Sequence, residues 1–133
     1  MLEYNKNQIK TVQKKYSLDF IVLFGSSAKE VFKKTSDIDI AIKSPSPIGL
    51  KQYSEIQSGI AKAFKTKSEK IDLIEILYTS PILMRQIAKY GRLLAGNFLE
   101  FKKFQAATLK KYFDTKKFRD LTKRYIIQNL YAR

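Results

Sequence analysis

LFGSSAKEVFKKTSDIDIAI, residues 23–42, holds a Gly-Ser pair, ten intervening residues and then an Asp-Ile-Asp triplet. The pair closes the apolar run Phe20 to Phe24, which reads as a strand. Thr35-Ser36 leads into a second strand, Ser36 to Lys43, whose start carries both acids. Between them, a short helix from about Ser27 to Lys34 would put Ala28, Val31 and Phe32 on its inner face. Strand, tight turn, short helix and strand bring Gly25 and Ser26 towards Asp37 and Asp39.

Side chains two residues apart in a strand share a face, so Asp37 and Asp39 point the same way, roughly 7 Å apart at the backbone. Ile38, Ile40 and Ile42 fill the other face. Two carboxylates held this close repel and raise each other's pKa unless a cation lies between them, which suits a divalent-metal clamp. By itself the triplet reads as an acidic strand start facing water. Two further features reverse that reading. Gly25 lets the backbone approach an anion, the helix start offers free N–H groups, and Ser26 adds a hydroxyl donor. Asp72 is the second feature, an acid in the centre of the apolar run Ile71 to Leu77. A carboxylate buried there would cost several kcal/mol without a partner, and a metal shared with Asp37 and Asp39 would supply one. The competing partner is a lysine such as Lys70, and Glu75 falls on the opposite face as a structural residue.

Three carboxylates on two Mg²⁺ ions would bridge a nucleoside triphosphate, activate an attacking hydroxyl and stabilise departing pyrophosphate. The reaction class is nucleotidyl transfer by in-line attack at the α-phosphorus. No Cys and no His occur among the 133 residues, so disulfides, Cys or His metal sites and His-dependent acid–base chemistry are excluded. A metal must be held by oxygen, which points to a hard ion.

Outside this stretch the pattern continues as helix and strand in alternation. Ile9, Val12 and Tyr16 give an amphipathic opening helix over 3–16. Ser44-Pro-Ser-Pro47 is a linker, and the spacing of Leu50, Tyr53, Ile56, Ile60 and Phe64 predicts a helix from about Gly49 to Lys65 that crosses one sheet face. Ile71 to Leu77 is the third strand. Ser80 caps a helix that opens with Pro81, runs to Tyr90 and stops at Gly91, and Arg92 to Ala95 make a short fourth strand. After the Gly96-Asn97 turn, Phe98 to Tyr112 and Phe118 to Tyr131 read as one interrupted helix or two consecutive ones. Their aromatic stripe, Phe98, Phe101, Phe104, Tyr112, Phe113, Phe118 and Tyr125, reads as core rather than as a base-stacking platform.

With 44% hydrophobic residues the chain fits one domain over 1–133, with a catalytic core at about 18–77 and a helical C-terminal region at about 97–133. No apolar run approaches the ~20 residues of a membrane span, and the N-terminus has no signal-peptide core, so the expectation is a cytoplasmic protein with no membrane partner. The formal charge is +14 and uneven: residues 1–84 carry 13 lysines against nine acids, residues 85–133 carry 13 Lys or Arg against three. The basic half attracts polyanions such as nucleic acid or an acidic protein surface, and a solvated lysine-rich surface is the plain alternative.

On Gly25-Ser26, the ten-residue gap, Asp37-x-Asp39 and a third aspartate at Asp72, the chain resembles the DNA polymerase beta superfamily of nucleotidyltransferases. Its length is similar to that of the minimal nucleotidyltransferases, the MNT proteins, which are often antitoxins paired with a HEPN-domain RNase toxin. The resemblance rests on specific motifs over residues 20–76 and on size and helical layout beyond. It implies an α/β (α+β) polymerase-beta-like fold, a small mixed sheet with helices packed against it and the acids on neighbouring central strands. It also implies Mg²⁺-dependent transfer of AMP from ATP, in some MNT proteins onto a tyrosine of the HEPN partner. Asp37 and Asp39 would hold the metals, and Asp72 would hold the catalytic metal and help activate the acceptor. Gly25 and Ser26 would grip the triphosphate, with Lys29 as a further phosphate contact. Glu30 departs from the pattern, standing where relatives usually have a second glycine.

The leading expectation is therefore an MNT-type enzyme acting as antitoxin on a HEPN toxin, in a homo- or hetero-oligomer. Two alternatives stand beside it: a non-catalytic module that covers its toxin through the C-terminal helices, and a nucleotidyltransferase acting on RNA or a small molecule.

Overall fold

The computed structural model describes residues 3–25 and 37–131. Ser26, Lys29, Glu30 and the helix expected over 27–34 lie outside the described residues. The described elements are α1 (Lys6–Lys15), β1 (Phe20–Phe24), β2 (Ile38–Lys43), α2 (Leu50–Ala63), β3 (Ile71–Glu75), α3 (Pro81–Tyr90), β4 (Arg92–Gly96) and α4 (Phe98–Tyr131). The opening helix is shorter than its apolar pattern suggests because Asn5 caps it, its side-chain oxygen accepting from the N–H groups of Asn7 and Gln8 at 3.0 and 3.2 Å. Ser80 caps α3 by accepting from the Leu83 N–H at 3.3 Å, Pro81 takes the first helical position, and the Gly91 N–H closes the helix on the Ile87 carbonyl at 2.8 Å.

The strands form one mixed sheet in the order β3-β2-β1-β4. β1 pairs antiparallel with β2 and with β4, while β2 and β3 run parallel. A parallel neighbour needs a crossover, and α2 provides it. β1 lies in the middle with all five residues buried, alternating between two cores. Ile21, Leu23, Ile38, Ile40, Ile42, Ile71 and Leu73 pack beneath Ile9 and Val12 of α1 and Ile56 and Ile60 of α2. On the opposite face Phe20, Val22, Phe24 and Ala41 pack against Ile87 of α3 and Phe101 of α4. This period-two division leaves Asp39 and Asp72 on the second face, as the sequence pattern requires.

Several expectations are corrected. β2 begins at Ile38 rather than Ser36, so Asp37 stands just before the ladder. β3 ends at Glu75, not Leu77, because Ile76–Tyr78 turn in a 3₁₀ helix that carries the chain over to α3. β3 is an edge strand, so the acids do not sit on two central strands. The last helix is neither interrupted nor double. α4 is continuous over 34 residues, a rod of about 50 Å at 1.5 Å per residue, because nothing between Tyr112 and Phe118 is a glycine or proline that would break it. Its aromatic stripe is core only near its start. Phe101 meets Phe20 edge-on at 5.3 Å between ring centres and Phe104 approaches the same ring at 5.7 Å, whereas every described side chain from Phe113 to Asn129 is exposed. No described helix is long and apolar enough to cross a membrane.

Candidate active site

The sheet's register sets the site. Phe24, the last residue of β1, pairs with Asp39 of β2, and Asp39 pairs in parallel with Asp72 of β3. Three strands thus present Gly25, Asp39 and Asp72 side by side at one end of the sheet. Gly25 turns the chain away from β1 in the left-handed region at φ +71°, where glycine alone is unstrained. A Cβ on Gly25 would also collide with Oδ2 of Asp39 and come within 3.0 Å of its Cγ. The glycine is therefore required twice, once for the turn and once because the Asp39 carboxylate leans against its Cα.

Asp39 is half-buried, and its carboxyl is pushed up to about 6. Burial is the largest cause. Next come the negative charge of Asp72, a hydrogen bond between the two carboxyls that favours the protonated form, and the charge of Asp37. Asp39 and Asp72 therefore meet, as the sequence led one to expect. Asp37 is exposed and acts on Asp39 through its charge, but among the described residues no three carboxylates close into a single metal-holding group.

Asp72 itself is exposed rather than buried, which corrects the expectation drawn from its apolar neighbours: Ile71 and Leu73 point into the core beneath α1 and α2, and Asp72 points the other way from an edge strand. Its carboxylate bears no cost of full burial. Among the described residues no lysine forms an ion pair with it, Lys70 included. Glu75 is structural, its Oε1 accepting from the Ile48 N–H at 3.2 Å.

Tyr53 is a contributor that residue types alone did not reveal. Its spacing put it on the inner face of α2, but nothing in the sequence signalled that its hydroxyl donates to the Leu73 carbonyl, one residue beyond Asp72. That bond ties the crossover helix to the strand bearing the third acid. Burial first, and the Asp72 charge second, raise the phenol above its ordinary value.

The donor set fits a hard divalent cation: adjacent carboxylate oxygens, mutually repelling, partly open to solvent, with no nitrogen or sulfur ligand present. Residues 7–97 match the polymerase beta nucleotidyltransferase family model. The chain belongs to that family. Over 65 residues it is 38% identical to the candidate protein adenylyltransferase MJ1217 of Methanocaldococcus jannaschii, a stretch covering 49% of this chain and 63% of that one. This member therefore spans a little under two thirds of that curated relative's length. Its fold is shared with one chain of a toxin–antitoxin complex crystallised with AMP-PNP, at TM-score 0.72 and 24% identity over 92% of this chain and 98% of the other. It is shared as well with one chain of a complex of tri-AMPylated Shewanella oneidensis HEPN toxin and MNT antitoxin, at TM-score 0.65 and 23% identity over 92% and 96%.

Proposed function

We propose that the chain transfers AMP from ATP, with Mg²⁺, to an acceptor hydroxyl on a tyrosine of a HEPN-domain RNase toxin, and so acts as that toxin's antitoxin. The observation that carries the chemistry is the contact of Asp39 with Asp72 beside the side-chain-free Gly25. The partner is supported by relatives: a candidate protein adenylyltransferase, a fold neighbour crystallised with AMP-PNP, and another crystallised with an AMPylated HEPN toxin.

On this reading Asp37, Asp39 and Asp72 hold the metal, Asp39 and Asp72 from adjoining strands and Asp37 from the rim. Bound Mg²⁺ supplies charge neutralisation for the triphosphate and a lowered pKa for the attacking hydroxyl. The protein's own part is to hold two carboxylates close enough that a cation is needed to ionise both, and to leave Asp72 open on the sheet edge where an acceptor can approach. Gly25, Ser26 and Lys29 take the phosphates, Gly25 by offering close backbone approach.

The test is to incubate the protein with α-labelled ATP, Mg²⁺ and a purified HEPN toxin. Label should move to the toxin, should be lost on chelation, and should be lost in Asp39→Asn and in Asp72→Asn. Wild-type protein that binds the toxin yet transfers no label would refute the chemistry.

A further inference from the structure

A groove far along the chain from the carboxylates remains unexplained by nucleotidyl transfer. Between α3 and the middle of α4 lies a cavity of about 520 Å³ whose walls are apolar, with Ile82, Met84 and Ala107 among them. Its charged lining among the described residues is of one sign, Arg85, Lys111 and Arg119. The guanidinium carbons of Arg85 and Arg119 both lie over the Tyr112 ring, 3.9 and 4.5 Å from its centre. Nε of Arg85 is buried with no hydrogen-bond partner among the described residues. Two guanidiniums gathered on one ring beside a buried unsatisfied donor make a place where a carboxylate would be welcome.

The groove does not end there. Beyond Tyr112 the helix continues with Phe113, Phe118, Leu121, Tyr125 and Ile127 between 57% and 73% exposed, and Ile82 at the groove's edge is 78% exposed. Phe118, Leu121 and Tyr125 follow one another at helical spacing along one strip. A folded chain rarely leaves such a row in water unless something covers it. α4 as a whole carries nine Lys or Arg against three acids.

We propose that the α3–α4 groove and the outer strip of α4 form the docking surface for an acidic amphipathic helix of a different protein, with a partner carboxylate seated at Arg85, Tyr112 and Arg119. Charge selects this occupant. A second copy of the chain would lay one strongly basic helix against another, and the like charges oppose it. RNA would satisfy the cations and could stack on Phe118 and Tyr125, but Leu121, Ile127 and Ile82 have no ring for a base and would stay uncovered. An acidic helix with apolar residues at spacings of three and four matches both the sign and the row. This inference rests on the partnership proposed above for the partner's identity, and not on the transfer chemistry.

The experiment uses a labelled 18-residue helical peptide with Leu at positions i, i+3, i+4 and i+7 and Glu elsewhere, read by fluorescence anisotropy on the full chain, with a HEPN toxin assayed in parallel. Expected is saturable binding weakened at least tenfold by Arg85→Gln with Arg119→Gln, and at least tenfold by the separate set Phe118→Ser, Leu121→Ser and Tyr125→Ser. Those α4 side chains are exposed, so circular dichroism and Mg²⁺-dependent ATP binding should be unchanged. Equal affinity for a scrambled peptide of the same composition would overturn the proposal, since charge alone would then suffice. So would tighter binding of an oligouridine of matched charge, or a wild-type dimer that the same substitutions dissociate. A HEPN toxin that binds the wild type and all variants alike overturns the surface while leaving the partnership standing. Peptide binding without toxin binding overturns the partnership and leaves the surface.

Discussion

Replacing Asp39 by Asn should stabilise the metal-free protein, the opposite of what loss of a half-buried, hydrogen-bonded side chain ordinarily does. Asp39 has its pKa raised from 3.8 to about 6, so its charged form is held less favourably in the folded chain than in the unfolded one. Taken at face value this shift of about two units is on the order of 3 kcal/mol at neutral pH, and solvent screening of a half-exposed group reduces it to about 1–2 kcal/mol. An acid with a raised folded-state pKa makes the fold less stable as pH rises from 3.8 through 6, and that penalty is full above 6. Asn has the same shape, carries no charge and can donate to Asp72. In chelator at pH 7.5, Asp39→Asn should therefore melt roughly 3–8 °C above the wild type, and the gap should shrink as pH falls below about 6 and close near 3.8. Adding Mg²⁺ with ATP should raise the wild-type Tm and leave the variant where it was, because a ligand stabilises only the form that binds it. Differential scanning calorimetry across pH, with and without Mg²⁺, gives all of these. A variant that melts at or below the wild type in chelator at pH 7.5 refutes the reasoning.

Gly25→Ala should cost about 1–3 kcal/mol in urea unfolding, from the positive φ and the collision with the Asp39 carboxylate, and should abolish Mg²⁺-dependent ATP binding even where the fold survives. Tyr53→Phe leaves the Leu73 carbonyl without its side-chain donor, so a loss of about 1 kcal/mol in stability is expected, with hydrogen exchange accelerating in β3 ahead of the rest of the sheet. Ile87→Ala, at a fully buried position between α3 and the sheet, should cost about 2–5 kcal/mol by denaturant unfolding while leaving the isotherm for Mg²⁺–ATP unchanged under folded conditions.

The sequence was most legible where one local rule acts alone. Phe20–Phe24 is apolar at every position and is the fully buried middle strand, and Ser80-Pro81 through Gly91 begins and ends a helix at the residues that its caps dictate. The meeting of Asp39 and Asp72 was legible only in part: alternation puts each acid on a definite face, while the adjacency of β2 and β3 that pairs them came from the resemblance. Strand order was not. Whether Asp72 is buried depends on what lies beside β3, and the apolar neighbours Ile71 and Leu73 say only that the strand's other face is covered. The same limit explains α4. Helical spacing makes Phe101 and Phe118 look alike, yet one lies on Phe20 and the other stands in solvent, because the helix outruns the sheet that buries its start. Periodicity reports that a face wants covering. It does not report whether the chain itself supplies the cover.

Exposure of the third acid bears on the proposed reaction more than its burial would have. Were Asp72 on a central strand, flanked by strands on both sides, an acceptor would have to thread its hydroxyl into the sheet end past both neighbours, which suits a small molecule better than a folded protein. On the edge strand the carboxylate stands open on one side, with Asp39 and Gly25 behind it on β2 and at the end of β1. The order across the sheet is then Gly25, the paired carboxylates and open solvent. On the proposed reaction, a partner's tyrosine would approach Asp72 from the solvent side. Such an edge leaves room for an acceptor as large as a folded protein, which the proposed reaction requires. It also sets a measurable expectation: free tyrosine and short tyrosine peptides should accept AMP slowly but detectably, since nothing about the open edge excludes them, and docking of the whole partner should raise the rate by concentrating the hydroxyl there.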